Sequence, residues 1–402
     1  MPSSRPRFSL AVAAVGLSAL SACSLTPDNG GTASKAAGGG GTEQKAAVST
    51  ARVASNIRSG APSVDLGRTL RLRVASGTFE KVTVTAAGAA LRGRFVAGKT
   101  RWVSQAPLKP GTKYTVTSTA VDADGVTKDF RSTFTTRKLS LDEQTYPSFV
   151  PVGNQTVGVG MPVIVRFDVP VTDRASIERH LKVTSSPAQP GAFHWVSSQE
   201  VHWRPKNFWK PGTDVTVKAD IAGVPAGNGI YGQKNRSASF HVGDSMISKV
   251  DMVSDQMRVF RNGRLLRTIP ITTGRQPDFT TRSGTKVIVE KFRHKRMNSE
   301  TIGIDPNSAD GYDLDNVEYA MRVTYSGEFI HAAPWSVGQQ GSSNVSHGCT
   351  GMSTANAEWL YNQSKVGDVV QYTGTSRTTA LTNGFGDWNL PFAAYRSGSA
   401  LS

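Results

Sequence analysis

Two stretches of this chain repeat one another. Trp102 stands eight residues before Pro110-Gly111-Thr112, and Trp203 stands eight residues before Pro211-Gly212-Thr213. Each Pro-Gly-Thr leads into period-two alternation, through Tyr114, Val116 and Ser118 in the first copy and Val215, Val217 and Ala219 in the second. That period marks a strand with one buried face, and Lys-Pro-Gly-Thr supplies the turn feeding it. Each copy ends in a further strand, near Phe134 and Phe240. The repeat therefore predicts two tandem β-sandwiches, with Trp102 and Trp203 as core anchors rather than sugar-stacking platforms.

The expected sandwiches are of the immunoglobulin-like kind and span about 62–137 and 138–243. A chain of 402 residues has room for two to four domains. Its 20 prolines, 40 glycines and Val/Thr-rich runs favour a mainly β protein over helix bundles.

A third domain is expected over 244–375, with a C-terminal extension at 376–402. Lys249 to Phe260 opens it. Asn262-Gly263 follows between apolar residues, a strong hairpin signal because both turn positions need positive φ. Leu265 to Thr272 is the partner strand, and Lys286 to Lys291 a further one. From Arg293 to Glu318 the periodicity lapses into a long loop of the sort that is usually functional. Tyr319 to Ile330 reads as a strand delivering His331 at its end. Thr354 to Gln363 reads as a short helix with Thr354 as N-cap, and Val366 to Tyr372 as the closing strand.

The N-terminus reads as an export signal. Arg5 and Arg7 precede an apolar run from Phe8 to Leu20, too short for a comfortable membrane span. Leu20-Ser21-Ala22-Cys23 resembles a bacterial lipobox, which implies cleavage and lipidation at Cys23, with residues 1–23 as the signal. An ordinary signal peptide with an incidental cysteine is the alternative. Residues 24–61, with glycine at 38 to 41, are expected to be a flexible tether. The expected location is the outer face of the cytoplasmic membrane, working in the wall. The net charge of +16 shows no basic stripe, so nucleic acid is excluded in favour of anionic wall polymers and head groups.

With Cys23 lipidated or removed, Cys349 has no intramolecular disulfide partner. It closes Ser346-His347-Gly348-Cys349, eighteen positions after His331. Imidazole suits removal of a thiol proton near neutral pH, and glycine admits a substrate carbonyl to the backbone N–H groups. The motif points to cysteine acyl transfer. Cys349 is the candidate nucleophile and His331 the candidate general base. His347 is the competing base, favoured instead for a structural or oxyanion-side place. A zinc site of His331, His347 and Cys349 has no fourth ligand at recognisable spacing, so no metal is expected.

His331-Ala-Ala-Pro-Trp-Ser-Val-Gly338, Ser-His-Gly-Cys349 and the tail Gly384-Phe-Gly-Asp-Trp-Asn389 together resemble the YkuD-type L,D-transpeptidases, over roughly 245 to 400. The multidomain actinobacterial lipoproteins of that family look most similar. The resemblance implies an acyl-enzyme on Cys349 formed from a peptidoglycan stem peptide with release of D-alanine. A neighbouring amine then takes the acyl group, closing a 3→3 cross-link. It implies acylation by carbapenem β-lactams and no cofactor.

By the same resemblance the 293–318 loop is a flap over the donor pocket, and Tyr312 supplements an oxyanion hole built from the N–H groups of Gly348 and Cys349. Met297, Ser326, Gly327 and Gly351 line the donor site, and the carbonyl of Ala332 orients His331. Many members carry Ser at the position of Ala332, Asn at that of Gly351 and Pro at that of Arg282. Trp335 and Trp388 are expected to pack in the core or between domains. Water as acceptor, giving a carboxypeptidase or endopeptidase, and a non-catalytic wall-binding lipoprotein are the alternative functions.

Overall fold

The computed structural model describes residues 47–402. The expected signal, the lipobox at Cys23 and the first part of the tether lie outside them. The tether was expected to run to 61, but Arg52–Ser55 already forms a strand, paired with Arg71–Ala75. Arg52, Val53, Ala54 and Ser55 are small or polar and stand at a sheet edge, so they carry too little apolar signal to read as a strand.

The first sandwich packs a four-stranded sheet on a five-stranded one. The second packs two four-stranded sheets, with a small three-stranded sheet beside them. The repeat is realised as expected. Lys113–Val121 buries Tyr114, Val116, Ser118 and Ala120, and Asp214–Ala219 buries Val215, Val217 and Ala219. Gly111 and Gly212 both take positive φ in the turns ahead of them (57° and 75°). Trp102 and Trp203 are buried in the two cores.

A second element of the repeat escaped the sequence reading. Phe95 pairs with Trp102 on the neighbouring strand, and Phe193 pairs with Trp203. Two residues before each Phe is a glycine that the indole covers. A Cβ would lie 2.0 Å from the Trp102 ring at Gly93 and 2.2 Å from the Trp203 ring at Gly191. Gly-x-Phe opposite Trp is thus a packing unit, in which glycine makes room for the largest side chain.

The third domain holds a five-stranded and a four-stranded sheet. Asn262 and Gly263 take positive φ (50° and 81°), joining Gln256–Arg261 to Arg264–Pro270 as the Asn-Gly signal requires. Five readings change here. Lys286 to Lys291 is not one strand: Gly284–Val287 and Glu290–Asn298 belong to different sheets. The expected loop is mostly a β-hairpin of Glu290–Asn298 with Asp313–Arg322, leaving 299–312 as its tip. Glu290–Asn298 has no buried residue, so no alternation announced it.

Tyr319 to Ile330 contains a reversal, with Asp313–Arg322 turning into Phe329–Ala332. The expected closing strand, Val366 to Tyr372, forms over Val369–Thr373 and is internal to its sheet, between Met246–Asp251 and Gly284–Val287. The helix spans Thr354–Gln363 as expected, but its N-cap is Ser353, whose hydroxyl accepts from Asn356 N–H.

The second sandwich and third domain share a core. Val287, Val289, Val369 and Phe385 fall in one buried cluster with Trp195, Trp203 and Trp209. Backbone N–H groups of Gly158 and Gly160 donate to the carbonyls of Val366 (2.9 Å) and Gly367 (2.8 Å). A Cβ on Gly158 would lie 2.2 Å from Asp368 N, so the close approach needs glycine.

The C-terminal segment closes the junction. Trp388 Nε1 donates to Gly160 O (2.7 Å), and Arg204 stacks on the Trp388 ring at 4.7 Å. Trp388 thus packs between domains, as expected. Asn389 exchanges two 2.8 Å hydrogen bonds with the Thr285 backbone.

Candidate active site

Thr350–Met352 pairs in parallel with Phe329–Ala332, setting His331 beside Gly351 and Ile330 beside Thr350. Cys349 directly precedes the first strand, so two segments eighteen positions apart bring thiol and imidazole to one cavity of about 340 Å³. Met297 and Tyr312 from the hairpin, together with Trp335, His347 and Gly351, complete much of its wall. A second cavity of about 150 Å³ also reaches Cys349 and shares Met297 and Tyr312 with the first. Ser326 and Gly327 line this second cavity. The expected donor-site residues are therefore divided between two spaces that meet at the sulfur.

His331 is buried, and its Nδ1 bonds the Ala332 carbonyl at 2.7 Å. That bond fixes the ring and leaves Nε2 as the nitrogen available to a partner. Because a backbone carbonyl makes it, Ala in place of Ser changes nothing there. Burial lowers the His331 pKa. Burial pushes the Cys349 thiol up to about 11. Both groups are therefore neutral at pH 7. The thiol donates to the Gly327 carbonyl, with Sγ 3.6 Å from the oxygen.

The nucleophile loop is pinned by side chains the sequence reading left without roles. Ser346 Oγ donates to the Cys349 carbonyl (2.7 Å) and accepts from Gly348 N–H (3.1 Å). Thr281 Oγ1 donates to the Gly348 carbonyl (2.9 Å). Gly348 N–H is therefore already engaged, which differs from the expected oxyanion donor. Among the described residues no acceptor bonds Cys349 N–H, which leaves that donor free. Gly348 has φ 121°, a conformation that favours glycine. Burial holds the Tyr312 hydroxyl up at about 12, so it stays a proton donor.

His347 packs with tilted rings between Phe279 (4.3 Å between centroids) and Tyr312 (5.0 Å), propping the hairpin tip over the cavity. Trp335, expected to pack internally, is 57% exposed at the cavity rim and tilts against His331 at 5.9 Å. A Cβ on Gly351 would lie 2.9 Å from Ala333 Cβ and 3.1 Å from Thr272 Cγ2.

The profile of the L,D-transpeptidase catalytic domain (YkuD) matches residues 246–371, and that of a bacterial Ig domain matches 61–225. L,D-transpeptidase 2 of Mycobacterium tuberculosis is 35% identical over 356 residues, which is 87% of this chain and 85% of that protein. The chain belongs to the L,D-transpeptidase family. L,D-transpeptidase 5 of the same organism is 34% identical, over 83% of this chain and 73% of its own. The solved structure of LD transpeptidase LdtMt1 in complex with imipenem is 39% identical and covers 56% of this chain and 97% of its own, with a TM-score of 0.50. The enzyme is thus an L,D-transpeptidase, acting in peptidoglycan cross-linking.

Proposed function

We propose that Cys349 takes the acyl group of a tetrapeptide stem as a thioester, releases the terminal D-alanine, and passes the acyl group to the side-chain amine of a neighbouring stem. The product is a 3→3 cross-link. The observation that carries this is His331 beside the nucleophile strand at one cavity, its Nδ1 held by Ala332 O and its Nε2 free. Since thiol and imidazole are both neutral at rest, the S–H proton passes to His331 Nε2 as sulfur attacks the carbonyl. Cys349 N–H and the Tyr312 hydroxyl stabilise the resulting oxyanion, with Gly348 shaping the loop. His331 then gives the proton to the leaving amine. Gly351 and Met297 line the donor side, and Ser326 and Gly327 the second cavity. Imipenem is bound in the solved LdtMt1 complex; carbapenems acylate Cys349 here by the same attack.

The enzyme is exported and anchored by lipid at Cys23, with its work in the wall. Intact-mass spectrometry after incubation with a disaccharide-tetrapeptide tests the reaction. An acyl adduct on Cys349 with cross-linked dimer supports it, and Cys349→Ala abolishes both. Adduct with tripeptide alone replaces transfer by hydrolysis. Neither adduct, with none from a carbapenem, leaves a binding protein.

A further inference from the structure

Beneath the thiol lies a buried charge cluster that the acylation steps do not use. Glu328 directly follows Gly327, the residue whose carbonyl accepts from Cys349. Its carboxylate, 5% exposed, accepts from Lys286 Nζ (2.6 Å), from Arg282 N–H (3.1 Å) and from the Arg282 guanidinium (3.0 Å). Lys286 is itself fully buried, its ammonium 3.8 Å from the centre of the Tyr372 ring. The Tyr372 hydroxyl meets that of Thr350, the residue after the nucleophile, at 2.9 Å. The cluster therefore grips both segments that hold the sulfur.

A buried ion pair is a poor stabiliser, since apolar residues of similar volume do as well or better. A functional reason is visible in the charges. The Glu328 carboxylate raises the energy of a negative sulfur, while Lys286 and Arg322 lower it. Burial pulls the Lys286 pKa down to about 8, and the Glu328 partner opposes that pull. His331, His347 and Tyr312 at the cavity and Tyr372 below are the other titratable groups around the sulfur.

We propose that Lys286 is a positioning residue for acylation, its ammonium offsetting Glu328 so that sulfur can carry negative charge as the proton leaves for His331. This rests on Cys349 being the nucleophile. The test needs no stem peptide, so the two ideas fail separately.

Iodoacetamide is reacted with the full chain at pH 7 and the adduct on Cys349 is followed by peptide mass mapping. The S–C bond forms as iodide leaves, and the rate tracks the fraction of thiolate. In Lys286→Met, Glu328 keeps Arg282 as partner but loses the ammonium, and alkylation slows about tenfold, one decade per unit of thiol pKa. In Lys286→Met/Glu328→Gln both opposing charges are gone, and the rate returns to within about twofold of wild type. A cluster that only holds the loop in place predicts the reverse, with the double variant at least as impaired as the single. Wild-type rate in Lys286→Met, or a double variant as slow as the single with its melting temperature intact, overturns the proposal. If Lys286→Met does not fold, Glu328→Gln decides: with the opposing carboxylate gone and the ammonium kept, alkylation speeds up about tenfold, and an unchanged or slower rate defeats the proposal.

Discussion

His202 of the second sandwich hydrogen-bonds Asp387 of the C-terminal segment at 2.8 Å, with both side chains buried. The other ring nitrogen bonds Glu200 at 2.7 Å, so the imidazole donates on both sides and is cationic. Burial opposes that charge, but the two carboxylates outweigh it and raise the His202 pKa from 6.5 to about 9. Tyr395 also donates to Asp387 (3.0 Å), which makes this the polar centre of the junction.

The sign of the resulting pH dependence follows. A raised pKa gives stability that is complete below about pH 6.5 and lost as pH climbs through about 9. Melting temperature is therefore expected to fall between pH 7 and 10. His202→Gln leaves Asp387 without its cation, costs about 3 kcal/mol at pH 7 and flattens that fall. Equal slopes in wild type and variant would show that the pair does not govern it.

The two histidines near the thiol are expected to separate sharply. His331→Ala lowers the acylation rate by about 10²–10⁴, the usual contribution of a general base. His347→Ala loses only the prop between Phe279 and Tyr312, about tenfold. Stopped-flow acylation by a carbapenem measures both, and the opposite ranking moves the base role to His347.

Much of this was legible in the chain and some was not. The tandem Trp and Pro-Gly-Thr repeat announced two sandwiches because strand alternation and turn chemistry are local. Ser-His-Gly-Cys349 with His331 announced the site for the same reason. The flap hairpin hid because Glu290–Asn298 buries no residue and therefore shows no period. Lys286 and Glu328 are 42 positions apart, and single charged residues look like surface until a fold pairs them. His202 looked unclustered because its partner Asp387 lies 185 positions away.

Gly191 offers a test of the Gly-x-Phe packing unit. Gly191→Ala drives a methyl into the Trp203 indole and is expected to cost about 1–3 kcal/mol as overpacking. Gly98→Ala, with open space but positive φ, reports the backbone cost alone. Chemical denaturation of the two variants checks the comparison; a Gly191 variant as stable as wild type would mean that the ring moves freely.

Restoring the family's usual residue at 351 is expected to harm this enzyme. The Cβ of Gly351→Asn meets Ala333 and Thr272 on both sides, so one of those segments must shift, at about 1–3 kcal/mol. Acylation slows because His331 lies beside the displaced strand. Unchanged melting and a faster rate would instead show that the cavity floor yields readily.

With Gly158 and Gly160 seated on the carbonyls of 366 and 367, residue 243 is no swivel. The aim of the active-site mouth is fixed relative to the second sandwich, and the thiol is carried as though on a rigid arm. Searching for a neighbouring stem then turns sandwich and enzyme together, so a change at the Gly158–Asp368 contact would redirect the nucleophile without touching a catalytic side chain.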